Sequence, residues 1–156
     1  MIDINGIAHI QLSVRDFAVS RAFYHTLCVE TFGMAVQYDD PRCLYCIGGR
    51  TAIMITPVDP EHADTAFDQR RVGLHHICFR LRSRGDVNRL HERLLEMGAK
   101  IVRGPEDGPW ATGYYSVLFE DPDGIRLEAN FVPGKGNLTK LADGPIAHPA
   151  DEKYRF

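Results

Sequence analysis

The stretch HICFRL, His76 to Leu81, decides the fold because HIQLSV, His9 to Val14, prefigures it. An offset of 67 residues lays one on the other and pairs His9 with His76. Both alternate in polarity as half-buried strands do, since neighbouring side chains on a strand point to opposite faces. In the first, Ala8, Ile10, Leu12 and Val14 share one side, and His9, Gln11 and Ser13 share the other. In the second, Ile77, Phe79 and Leu81 oppose His76, Cys78 and Arg80.

The segments downstream of the two stretches repeat as well. After HIQLSV, Asp16 is a natural N-cap for a helix through FAVSRAFYHTLC, and FGMAVQYDD, CLYCIGG and TAIMITPV read as strands separated by Asp39-Asp40-Pro41 and Gly48-Gly49. After HICFRL comes GDVNRLHERLLEMG, with Val87, Leu90, Leu94 and Met97 on one stripe and Gly98 as the stop, then AKIVRGP, YYSVLFE and IRLEANF. DPDG turns the last pair. The order β-α-β-β-β therefore occurs twice, weak in residue identity and strong in element order. The expected organisation is a single domain over 1–156, with module one at about 5–57, a linker at 58–72, module two at about 73–133 and a surface tail at 134–156.

Bulk properties narrow the function. A chain of 156 residues is long enough to bury a real core, and 44% hydrophobic with 25% charged residues is ordinary for a globular protein. A net charge of −3 offers nothing to attract nucleic acid or an anionic membrane. No apolar run approaches a membrane span and MIDINGIAHI lacks a basic-then-apolar leader, so a cytoplasmic protein is expected. Cys43 and Cys46 form a C-x-x-C, but inside a strand positions three apart face opposite ways and no second pair is present. They read as buried apolar thiols.

In IRLEANF, Leu127, Ala129 and Phe131 take one face and Arg126, Glu128 and Asn130 the other. Each helix must cover the apolar face of its sheet, which leaves His9, His76 and Glu128 on the face turned away. Each residue alone reads as an ordinary strand histidine or surface carboxylate. Their equivalent placement in a repeated module changes that reading. If the two sheets curl around a common cleft, two imidazoles and a carboxylate make a facial set for one divalent metal.

These residues resemble the vicinal oxygen chelate superfamily, the group of glyoxalase I, extradiol dioxygenases, fosfomycin-resistance proteins, methylmalonyl-CoA epimerases and bleomycin-binding proteins. The matching pieces are HIQLSVRDFAVSRAFYHTL, HHICFRL and LFEDPDGIRLEANF, spanning about Ile7 to Val132. The resemblance implies an α+β fold of two βαβββ modules forming a curved mixed sheet around a metal-binding cleft. It implies His9, His76 and Glu128 as ligands of one divalent ion (Fe, Mn, Ni, Co or Zn) and no organic cofactor. A homodimer is implied too, in which His9 and the His76–Glu128 pair can come from different chains. His75 falls on the helix-covered side by alternation and reads as structural.

Departures from the relatives shape the expected chemistry. Glyoxalase I places a fourth ligand, a glutamate, on the last strand of module one. The candidates here are Ala52, Met54 and Thr56, none a carboxylate, which disfavours that reaction. The expectation is a metal-dependent enzyme acting on a small molecule that chelates through neighbouring oxygens, of dioxygenase or lyase/isomerase type, with Arg126, Tyr114 and Ser116 as catalytic candidates. A fosfomycin-resistance-like thiol transferase is the first alternative. Ser116 matches a phosphonate-contacting serine there, but Leu118 replaces a cleft tyrosine, and Arg126, Lys135 and Lys140 are unaligned basic candidates. A dioxygenase needs further histidine and tyrosine groups, for which Tyr114 and Arg80 are the cleft-facing residues. The second alternative is a non-catalytic bleomycin-type binding protein. The loop GPEDGPWATGYY, holding the only tryptophan, reads either as a lid or as a plain hairpin connection.

Overall fold

Asp16 sits in an extended conformation and its carboxylate accepts the Val19 amide at 3.1 Å, which starts helix α1 (Phe17–Tyr24) where the sequence places it. The helix loosens into π-type turns over His25–Thr31 before the chain turns back through Gly33. In this computed structural model, which describes residues 1–134, the chain divides into two units, Met1–Phe67 and Asp68–Phe156.

Unit 1 contains α1 and the strands β1 (Ile10–Val14), β2 (Ala35–Asp40), β3 (Cys43–Gly48) and β4 (Thr51–Pro57). They form a four-stranded sheet in the order β1-β4-β3-β2. The β1–β4 pair is parallel, matching Gln11 with Met54 and Leu12 with Ile55, and the other pairs are antiparallel. Leu12, Val14, Leu44, Cys46, Ile53 and Ile55 are buried together with Tyr24, Leu27 and Cys28 of the helical segment. Cys46 is thus the buried thiol that alternation predicts, whereas Cys43, on the opposite face, is only half-buried. Cys28 and Cys46 hydrogen-bond to each other, and this contact together with burial pushes the Cys28 thiol far above its usual range.

Unit 2 repeats the plan with β5 (Ile77–Arg80), α2 (Arg84–Glu96), β6 (Lys100–Asp107), β7 (Tyr115–Glu120) and β8 (Arg126–Phe131), in the order β5-β8-β7-β6. Ser83 caps α2 through the Asp86 amide at 3.0 Å. Val87, Leu90 and Leu94 are its buried stripe, with Met97 at the margin, and Gly98 ends it at φ +69°. The strand β8 is central. It pairs parallel with β5 and antiparallel with β7, so its residues are covered on both edges.

Strand β6 runs to Asp107, beyond the AKIVRGP that periodicity suggests. Two register shifts against β7, around Val102 and around Gly104-Pro105, let it continue past a residue pattern that looks like a turn. Gly104 has φ +84°, and a methyl group there would overlap the Ser116 carbonyl oxygen. The remaining loop, residues 108–114, is closed by Gly108 and Tyr114 backbone bonding at 3.0 Å. Positions 135–156, most of the expected tail including Lys135 and Lys140, lie outside the described residues. Among the described residues, no helix is long and apolar enough to cross a membrane.

Candidate functional site

The DPDG turn aims β8. The buried Asp121 carboxylate accepts the amides of Asp123 at 2.9 Å and Ile125 at 2.8 Å, and Gly124 takes the positive φ the turn requires. Three residues beyond Ile125 stands Glu128. It is only 4% exposed, although it lies on the polar face of IRLEANF. Local alternation cannot show this, because the burial comes from β5 and β7 on either side, which set Cys78 and Leu118 in register with it.

A buried carboxylate requires partners. Glu128 has them at both oxygens. Its Oε1 accepts the Tyr114 hydroxyl at 2.7 Å, and its Oε2 lies 3.2 Å from His76 Nε2. Ser116 lies alongside, its hydroxyl buried and contributing to the pull on the charge. Burial opposes ionisation here. Hydrogen bonding from His76 and Tyr114, with the Ser116 hydroxyl beside them, outweighs it and holds the carboxyl below its ordinary range. The same site acts oppositely on its neighbours. Burial, reinforced by Cys78 and Glu128, pushes the Tyr114 hydroxyl far above its usual range. Cys78 is exposed by surface area, yet protein atoms crowding its thiol and the Glu128 charge push it up to about 12.

His76 immediately precedes β5, and its second ring nitrogen is also engaged: His76 Nδ1 and His75 Nδ1 are 2.7 Å apart, with the rings nearly perpendicular. Burial, then His76 and Arg126, hold His75 below its usual value, partly offset by Glu128. His75 therefore contacts His76 directly. The strand starts only at Ile77, so alternation does not reach back to it.

Arg126 is half-buried two residues before Glu128, with its Nε donating to Glu120 at 3.0 Å, and Glu120 also pairs with Lys100 at 2.8 Å. Arg80 is exposed and stands in register with Asn130. In the 108–114 loop, Trp110 packs on Tyr114 at 5.0 Å and Arg103 lies over the indole at 4.9 Å. A methyl group on Gly108 would strike both rings, so the loop is packed down as a hairpin connection around Tyr114.

In unit 1, His9 is exposed and immediately precedes β1, as His76 precedes β5. Its ring meets Tyr45 edge-on at 6.4 Å, and Tyr45 stacks with Tyr38 at 6.1 Å. Sequence reasoning missed this aromatic pair, which sits in register across β2 and β3. Met54 shares a row with Gln11 and Tyr45, so a thioether rather than a carboxylate stands in that row. Unit 2 thus brings together His76, Glu128, Tyr114 and Ser116, while His9 belongs to unit 1. Among the described residues, no three His, Cys, Asp or Glu side chains gather as a metal-holding group.

The donor chemistry of the unit 2 pair nevertheless fits a metal. Two ligands bonded at about 2.1 Å and roughly at right angles lie about 3.0 Å apart. The His76 Nε2 to Glu128 Oε2 separation of 3.2 Å matches that edge, with the carboxylate already ionised.

Comparison with known proteins bears on the family and the fold. The YqjT protein of Bacillus subtilis (strain 168), named as uncharacterized, is 28% identical over 123 residues, covering 77% of this chain and 94% of its own. The structure of a glyoxylase/bleomycin resistance protein/dioxygenase domain from Frankia sp. EAN1pec superposes with a TM-score of 0.66 at 26% identity, covering 83% of this chain and 98% of that one. A glyoxalase-related enzyme from Fulvimarina pelagi does so with a TM-score of 0.63 at 25% identity, covering 83% and 90%. The family model of the Glyoxalase/Bleomycin resistance protein/Dioxygenase superfamily matches residues 6–129, and with its two βαβββ units the chain belongs to that superfamily.

Proposed function

We propose that the protein is a divalent-metal-dependent enzyme acting on a small substrate that presents two neighbouring oxygens, such as a catechol, a 1,2-diol or a hydroxy-carbonyl compound. The observation that carries this reading is Glu128, a buried and ionised carboxylate in a central strand, facing His76 Nε2 at 3.2 Å. His76 and Glu128 are proposed as two ligands and His9, supplied within a homodimer, as the third. When bound, the ion polarises substrate oxygens and raises their acidity, which suits dioxygenase or lyase/isomerase chemistry.

The chain's own groups divide the remaining work. Arg126, held in place by Glu120, is proposed to bind an anionic part of the substrate. Ser116 and Tyr114 stand beside Glu128 rather than free in the site. A hydroxyl pushed far above its usual range and already donating to a carboxylate is a poor proton acceptor at neutral pH, so Tyr114 is assigned a supporting place and not that of a general base. Met54 adds no carboxylate, so a reaction needing a second protein base on that strand is disfavoured.

The test is anaerobic reconstitution with Fe²⁺ and with Mn²⁺, followed by a panel of catechols, hemithioacetals and fosfomycin with a thiol. Oxygen uptake with a catechol is the expected outcome. Thiol consumption with fosfomycin replaces this reading by that of a transferase. A protein that takes up no stoichiometric metal and binds its ligand equally with and without chelator is a non-catalytic binding module.

A further inference from the structure

The structure assigns two positioning residues to the His76–Glu128 pair: His75, which holds His76 at Nδ1, and Tyr114, which holds Glu128 at Oε1, so that the ligating atoms are His76 Nε2 and a single carboxylate oxygen, Oε2. The assignment rests on the proposed metal site and adds to it the atoms that bind and the residues that select them.

Each candidate ligand has two donor atoms, and each has one of them engaged away from the other residue. A histidine can offer a metal either ring nitrogen, and the partner of the other nitrogen decides which. For His76 the nitrogen facing Glu128 is Nε2, and Nδ1 is occupied by His75 at 2.7 Å. A contact that short between two ring nitrogens needs one proton between them. With Nε2 given to a metal, that proton resides on His76 Nδ1 and His75 Nδ1 accepts it.

Glu128 shows the same selection. Its Oε1 is bound by a buried phenol at 2.7 Å, which leaves Oε2 turned to His76. Tyr114 cannot easily swing away, because Trp110 packs against its ring at 5.0 Å and Gly108 admits both rings only by lacking a side chain. A carboxylate fixed in this way binds through one oxygen and keeps a coordination position open for substrate.

The test is Co²⁺ binding by the full chain, read by competition with a chromophoric chelator and by the visible spectrum of the bound ion. Three variants are compared with wild type: Tyr114→Phe, His75→Leu and His75→Gln, whose amide oxygen can still accept from His76 Nδ1. Tyr114→Phe and His75→Leu should each weaken Co²⁺ binding by about 10- to 100-fold, the usual effect of losing a group that orients a ligand. Tyr114→Phe should also lower the intensity of the Co²⁺ bands, because the freed Oε1 raises the coordination number. His75→Gln should recover most of what His75→Leu loses, which a merely space-filling His75 would not show. Affinity and spectra indistinguishable from wild type in Tyr114→Phe and His75→Leu overturn the assignment while leaving the metal reading intact. A wild-type protein that binds no Co²⁺ overturns both.

Discussion

Glu128→Ala offers the sharpest test of the buried site, first without any metal. Placed on a polar strand face, Glu128 looks removable at little cost to the fold. Its burial and its 2.7 Å bond from Tyr114 reverse that expectation. Truncation leaves a phenol hydroxyl, on a residue 8% exposed, without its acceptor, which costs about 1–3 kcal/mol. Against this, the variant no longer buries a carboxylate. The contacts that lower the Glu128 pKa offset its burial, so the expected net effect at pH 7 is a loss of about 1–3 kcal/mol. At roughly 2–4 °C per kcal/mol for a chain of this size, Tm falls by about 2–12 °C. The single tryptophan, Trp110, packs on Tyr114, so its fluorescence in a urea titration with chelator present reports unit 2 directly. A double-mutant cycle with Tyr114→Phe should give a coupling of about 1.5–3 kcal/mol, the range of a hydrogen bond to a charged group. An unchanged or raised urea midpoint in Glu128→Ala, with no coupling to Tyr114, refutes the reasoning.

The pH dependence comes from the same group: because the folded pKa of Glu128 lies below the usual value of about 4.3, its contribution is present above that pH and lost as the pH falls through the folded pKa. Urea stability between pH 6 and 3 should show this component in wild type and lack it in Glu128→Gln. Gly104→Ala places a side chain at φ +84° against the Ser116 carbonyl, and should cost about 1–3 kcal/mol from backbone strain alone, with weaker metal binding as Ser116 shifts. Leu94→Ala, at a fully buried position of α2, should lower stability by about 2–5 kcal/mol and leave the ligands of the site untouched; denaturation of the metal-free protein checks it. His9→Ala and Glu128→Ala proteins should each bind no stoichiometric metal, and co-refolding the two should restore binding at the mixed dimers' one intact site; metal analysis after mixing that shows none counts against a site shared between chains.

The element order was legible because alternation, caps and turn residues are local signals. Asp16, Gly98 and the DPDG turn act in the structure as their residue types suggest. The polar face of IRLEANF was legible for the same reason. Its burial was not, since that depends on β8 lying between β5 and β7, an arrangement set by pairings some fifty residues apart for one neighbour and across a hairpin for the other. The contact of His75 with His76, just before the first strand residue, left no mark in the two-residue repeat. Tyr114 was identified as a candidate from the sequence. Its hydrogen bond to Glu128 had no local signal in the sequence. The partnership of Cys28 with Cys46 joins a helical segment to a strand and left no mark in the C-x-x-C spacing.

The central place of β8 has a consequence during synthesis. Strand β5 leaves the ribosome long before β8, yet among the strands its partner in the sheet is β8, with Ile77 matched to Leu127. Until the chain has been made past Phe131, β5 has no strand to pair with and His76 has no Glu128 to meet. Such distant parallel pairing is also a slow step in folding. A nascent chain therefore presents the lone imidazole of His76 without its carboxylate, and the His76–Glu128 pair assembles only when the module is nearly finished.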